Sequence, residues 1–169
     1  AALPGAWHDR PMGIADDRAA AARINSLTER GGYLGVVPLV ACLAGVGLLP
    51  DYAARELAQH IALAWGAVTL ASAGAVHIGL ALAGRLPWDA ARLAGALVPA
   101  VLGAVGVALG GQRGLAVLVV GWGGFWLYEH RSLGALLPPA YVNLRRQLTL
   151  ATGMLLALTM FVSDAAGLT

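Results

Sequence analysis

Apolar residues along this chain gather into long runs separated by short clusters of Arg, Asp, Pro and Gly, after a polar stretch of about thirty residues. The runs lie at about residues 32–49, 58–82, 93–109, 115–128 and 144–162. The stretch Gln59 to Leu82, QHIALAWGAVTLASAGAVHIGLAL, lacks Pro, Asp, Glu, Lys and Arg. At about 1.5 Å per residue it makes roughly 36 Å of helix, against a hydrocarbon core of about 30 Å, so it is predicted to cross a bilayer. Within it Ala71, Ala75, Gly79 and Ala83 recur every fourth position, the pattern of a shallow groove that another helix can approach closely.

The other runs read as its neighbours. Span one carries Pro38 near its start, where a missing backbone donor is tolerated. The connection Pro50 to Glu56 is short enough to make spans one and two antiparallel. Gly84 to Arg92 is a turn, with Trp88 at interfacial depth. Span three contains Pro99 and ends on the pair Gly106 and Gly110, followed by the tight turn to Gly114. Span four, Leu115 to Tyr128, makes only roughly 21 Å of helix and on length alone suits a re-entrant segment. Trp122, Trp126 and Tyr128 mark an interface at its end, and Glu129 to Asn143 reads as a surface loop.

The segments at the two ends of the chain complete the expectation. Residues 1–30 form an arm in which Ile14 to Glu29, with Asp16 and Asp17 ahead of Arg18 and Arg23, suits a short surface helix. The start has no export-peptide pattern. Residues 31–163 are the membrane domain and 164–169 a short tail. The predicted fold is all-α: a polytopic membrane protein with five transmembrane helices in a small bundle and a short N-terminal surface helix.

Composition agrees: of 169 residues 59% are hydrophobic and 12% charged, with mean hydropathy +0.72, where soluble domains carry about 25% charge. All 11 basic residues are Arg, dispersed through short connections without the basic stripe of a nucleic-acid surface. With five crossings, Arg10, Arg18, Arg23, Arg30, Arg85, Arg92, Arg131, Arg145 and Arg146 share one side and only Arg55 and Arg113 the other. The positive-inside rule then puts the N-terminus in the cytoplasm and the C-terminus outside. Dropping span four levels the split to six against five, which favours the five-span arrangement.

Candidate chemistry is sparse. Cys42 is alone in an apolar run and reads as a small core residue. Neither His8, in the arm, nor His60, at the outer interface, suggests a site. His77 and His130 both fall near the cytoplasmic side and are the candidate pair for a haem, pigment or metal, although a hydrogen bond from His77 to a neighbouring helix or the head-group region is the stronger reading. Apart from Arg145 and Arg146 at the entry to the fifth run, there is no Asp, Glu, Lys or Arg between the predicted span ends, which argues against an ion pump. No hydrolase, phosphoryl-transfer or redox-thiol motif is present, so no enzyme is expected and no resident cofactor or metal. Arg145 and Arg146 beside Tyr141 read as snorkelling anchors, with Trp88, Trp122 and Trp126 as aromatic ones.

Three stretches, YLGVVPLVACLAGV from Tyr33, ASAGAVHIGLAL from Ala71 and PPAYVNLRRQLTL from Pro138, resemble a family of small, functionally uncharacterised bacterial inner-membrane proteins. Its mitochondrial relatives in animals go by the name transmembrane protein sixty-nine. Leu34, Gly35 and Pro38, then Gly74, His77 and Gly79, then Tyr141, Leu144, Arg145, Leu148 and Thr149 match its pattern; Ile78 and Ala140 stand where aromatics are usual. The resemblance covers Tyr33 to Val162 and implies a location in the bacterial inner membrane. Together with the small-residue grooves and short loops, it suggests a non-catalytic accessory or assembly subunit of a larger, energy-transducing membrane complex, in contact with lipids and other integral membrane proteins and with no nucleic acid. A small transporter or pore is the alternative, and haem or pigment binding through His77 another.

Overall fold

A computed structural model describes residues 29–84, 86–133 and 139–168. The expected surface helix of the N-terminal arm lies outside them. Among the described residues the protein is helical throughout, without strands: α1 Val37–Leu48, α2 Tyr52–Leu82, α3 Ala90–Leu109, α4 Gly111–Leu133 and α5 Pro139–Ala165. A helical stretch over 29–34 leads into α1, and four segments, Glu29–Leu48, Tyr52–Leu82, Ala90–Leu109 and Val142–Ala165, are long and apolar enough to cross a membrane. The fifth helix, α4, has 23 residues, roughly 34 Å, which is span length.

Local chemistry sets the helix ends. Asp51 and Asp89 cap α2 and α3, their carboxylates accepting from the N–H groups of Ala54 and Arg92 at 3.0 and 2.7 Å. Between α3 and α4 the reversal is a single residue, possible because Gly110 and Gly111 both take positive φ, 63° and 48°. After α5, Gly167 at φ +71° lets the Leu168 N–H reach the Ser163 carbonyl and the Gly167 N–H that of Asp164, a Schellman stop. Leu168 is thereby buried against Val46 and Ala58.

Pro38 shapes the entry to α1. The helix turns at residues 35–36, and the Leu39 N–H bonds Val36 instead of Gly35. The Gly35 carbonyl instead accepts from the Trp65 indole N–H of α2 at 2.7 Å, so the freed acceptor becomes an inter-helix tie.

The core is a leucine layer at mid-height, with Leu63 and Leu70 of α2, Leu115 and Leu118 of α4 and Leu156 of α5 at most 2% exposed. Around it the helices meet over glycines. A Cβ on Gly74 would lie 2.7 Å from the Ala96 carbonyl and 3.0 Å from Pro99; one on Gly103 would lie 3.0 Å from the Ala67 carbonyl; and one on Gly114 would overlap the Gly106 carbonyl. The close-packing face of α2 is thus Gly66, Ala67, Leu70, Gly74 and His77. The groove predicted on Ala71, Ala75, Gly79 and Ala83 is not a seam within the bundle: Ala75, Gly79 and Ala83 are exposed, and a Cβ on Gly79 meets nothing within 4 Å. The fourfold spacing was real, but the bundle packs the neighbouring face, where His77 and the leucines lie. Of the predicted pair on α3, Gly106 is buried at the α4 contact and Gly110 is a turn residue.

Candidate functional site: a buried ion cluster

Three helices converge on one charged cluster near the end of the bundle where Arg30, Arg92, Arg131, Arg145 and Arg146 gather. His77, with no exposed surface, comes from α2; Glu129, 8% exposed, from α4; Arg145 from α5. The Arg145 Nε donates to Glu129 Oε2 at 2.5 Å, and its Nη2 to the Ala73 carbonyl at 2.9 Å, one turn before His77. Glu129 Oε1 lies 3.4 Å from His77 Nε2, within ion-pair range for a protonated ring but not aligned for a hydrogen bond; His77 Nδ1 has no partner among the described residues.

Aromatic rings close the cluster on its other sides. Phe125 meets the His77 ring edge-on with centroids 5.7 Å apart, and Tyr128 lies tilted at 5.5 Å. The Arg145 guanidinium sits 5.7 Å above the Phe125 ring, a cation–π distance. Tyr128 in turn donates to the Ala91 carbonyl of α3 at 2.7 Å, and its ring fills the space opposite Gly95, where any Cβ would collide with it.

The position of these groups along their helices matters for their energetics. Glu129 is four residues from the end of α4, His77 five from the end of α2, and Arg145 six from the start of α5, roughly 6–9 Å along the helix axes. Enclosed between three helices, an unpaired charge is expensive, and pairing a carboxylate with a guanidinium through a direct hydrogen bond offsets desolvation. The arrangement places the His77 ring beside a carboxylate already paired with Arg145.

Several sequence expectations change here. Glu129 is not the start of a loop: α4 runs on through it to Leu133. Arg145 is not a free anchor but the counter-ion of Glu129. His130 does not join His77; adjacent residues on a helix point about 100° apart, and His130 is exposed, stacked on Trp126 with centroids 5.5 Å apart. Trp122 lies in the core, 7% exposed, its indole N–H without a partner among the described residues, rather than at an interface. Trp88 is 58% exposed and Arg146 is exposed; the Tyr141 side chain lies outside the described residues. The expectation of an uncharged bundle interior therefore fails at Glu129 and Arg145. A signal was available: Trp122, Phe125 and Glu129 fall on one helical face, and Arg145 continues the buried face of Thr149 and Thr152.

No group of three or more His, Cys, Asp or Glu side chains close enough to hold a metal ion occurs among the described residues. The fold and the site define a helical membrane protein with a buried histidine–carboxylate–arginine cluster at one end of its bundle. The chain belongs to the DUF3429 family, proteins of unknown function, whose pattern matches residues 28–161. No curated protein and no solved structure matches it.

Proposed function

We propose that the protein is a non-catalytic accessory or assembly subunit of a larger inner-membrane complex, oriented with its arginine-rich end in the cytoplasm. The observation that carries this reading is the face of α2 bearing Ala75, Gly79 and Ala83. These small residues point away from the bundle, and Gly79 has open space before it. Small residues on the outside of a membrane helix are what close approach of another helix requires. The energy-transducing character of that complex rests on the resemblance to mitochondrial transmembrane protein sixty-nine. The test is co-purification in mild detergent: the native protein brings down a membrane partner and Gly79→Leu loses it while its own bundle elutes unchanged. A stable monomer that captures nothing would sink the reading.

A second reading, a small transporter, draws on the core-facing side of α5, where Arg145, Thr149, Thr152, Thr159 and Ser163 recur along the helix. The layer of Leu63, Leu115, Leu118 and Leu156 interrupts that polar side at mid-height, which weighs against an open route. Proton or solute uptake into liposomes holding the purified protein, lost in Glu129→Gln, would favour it. Haem or pigment binding at His77 is tested by the absorption spectrum of the purified protein; the ring is already flanked by Glu129, Phe125 and Tyr128.

A further inference from the structure

We propose that the outer seam between α3 and α4 is a binding site for an anionic phospholipid, with one acyl chain in an apolar groove and the phosphate held by Arg92 and Arg131. The groove has a volume of about 310 Å³ and is lined on α3 by Gly95, Val98 and Pro99 and on α4 by Gly121, Gly124 and Tyr128, among others. Its walls face the surrounding membrane: Val98 is 52% exposed, and the nearby Val120 73%. A size at the low end of small-ligand pockets, which run from about 300 to 1,000 Å³, suits part of one chain and no bulky molecule.

The polar chemistry sits at one end of this groove only. On α3 the lining residues Gly95 and Val98 continue back by one turn to Arg92; on α4, Gly121, Gly124 and Tyr128 continue forward by one turn to Arg131, the steps of three and four that keep residues on one helical face. Arg92 crosses the seam, its Nη2 donating to the Ser132 carbonyl at 3.2 Å, while its Nε and Nη1 are buried and have no partner among the described residues, so they lack an acceptor. Arg131 is exposed. Glu129 is bound by Arg145, Asp89 turns its Oδ1 to the backbone N–H of Arg92, and among the described residues neither Arg92 nor Arg131 is in an ion pair. Two guanidinium groups, one exposed and one with two buried donors still lacking an acceptor, therefore stand at the head of an apolar channel. Charge complementarity singles out a phosphate-bearing lipid with net negative charge, since a zwitterionic headgroup brings its own cation.

The experiment uses the full chain in detergent, supplied with phosphatidylglycerol or phosphatidylcholine and read by native mass spectrometry. The native protein is expected to retain phosphatidylglycerol in preference to phosphatidylcholine. Arg131→Glu, a surface change, and Arg92→Gln with Arg131→Gln are each expected to cut that preference about tenfold. Gly124→Leu fills the groove without a clash, because a Cβ there meets nothing within 4 Å, and is expected to lower retention of both lipids. Equal retention of the two lipids by the native protein would overturn the proposal, as would an unchanged preference in the arginine variants. A change of oligomeric size in Gly124→Leu would likewise overturn it, assigning the groove to a partner helix instead.

Discussion

Removing either member of the Glu129–Arg145 pair leaves the other as an uncompensated charge between three helices. Arg145→Met or Glu129→Leu alone is expected to destabilise the protein by about 3–5 kcal/mol, measured as thermal unfolding in detergent. The double variant, which removes both charges, is expected to recover most of the loss. Additive losses would mean that the two side chains do not depend on one another, despite the 2.5 Å contact. A milder effect belongs to Trp65: Trp65→Phe keeps the ring but deprives the Gly35 carbonyl of its donor, an expected loss of about 1 kcal/mol in the same measurement. At this scale the sequence was least legible. Glu129 follows a run of aromatics and reads as the first polar residue beyond a membrane span. Only the partner Arg145, sixteen positions later on the next helix, makes its burial tolerable.

Helix against helix, the fold is decided by which small residues face inward. Gly74→Val would press a side chain into the Ala96 carbonyl and the Pro99 ring and separate α2 from α3, an overpacking loss of about 1–3 kcal/mol. Gly79→Leu, one turn and a residue further along the same helix, is expected to change the melting temperature of the isolated protein very little, within about 0.5 kcal/mol. If the two changes destabilised equally, the assignment of the packed face would be wrong. The existence of all five helices was readable from their apolar runs, because burial in lipid demands length and apolarity that few other structures share. Their bounds were not: α4 and α5 extend past their apolar runs at the charged end, through residues such as Glu129, Ser132 and Asn143 whose polarity suggests a loop, and α2 begins before its run, at Tyr52.

For the molecule as a whole, the central question is which end faces which compartment, and whether α4 crosses. In a Cys42→Ala background, Arg146→Cys and Arg113→Cys place thiols at opposite ends of the bundle, both at exposed positions. A membrane-impermeant thiol reagent is expected to reach the residue-113 position from outside intact cells and the residue-146 position only after the cytoplasmic face is opened. Labelling of both from the same side would overturn the crossing of α4 and with it the arginine asymmetry on which the orientation rests.

The apolar runs alone determined that this is an all-helical membrane protein with antiparallel neighbours, because a backbone in lipid has to satisfy its own hydrogen bonds and short connections leave few ways to arrange the spans. Membership of an uncharacterised family was legible too, in the particular residues of stretches such as the first span and the entry to α5. What only the tertiary structure decided is the direction each helix turns. Periodicity marked Ala71, Ala75, Gly79 and Ala83 as a possible seam and His77 with His130 as a possible pair, but a spacing of four is satisfied by more than one face. The choice fell to contacts made across the bundle: the Ala96 carbonyl against Gly74, the leucine layer against Gly66, and Arg145 reaching both Glu129 and Ala73.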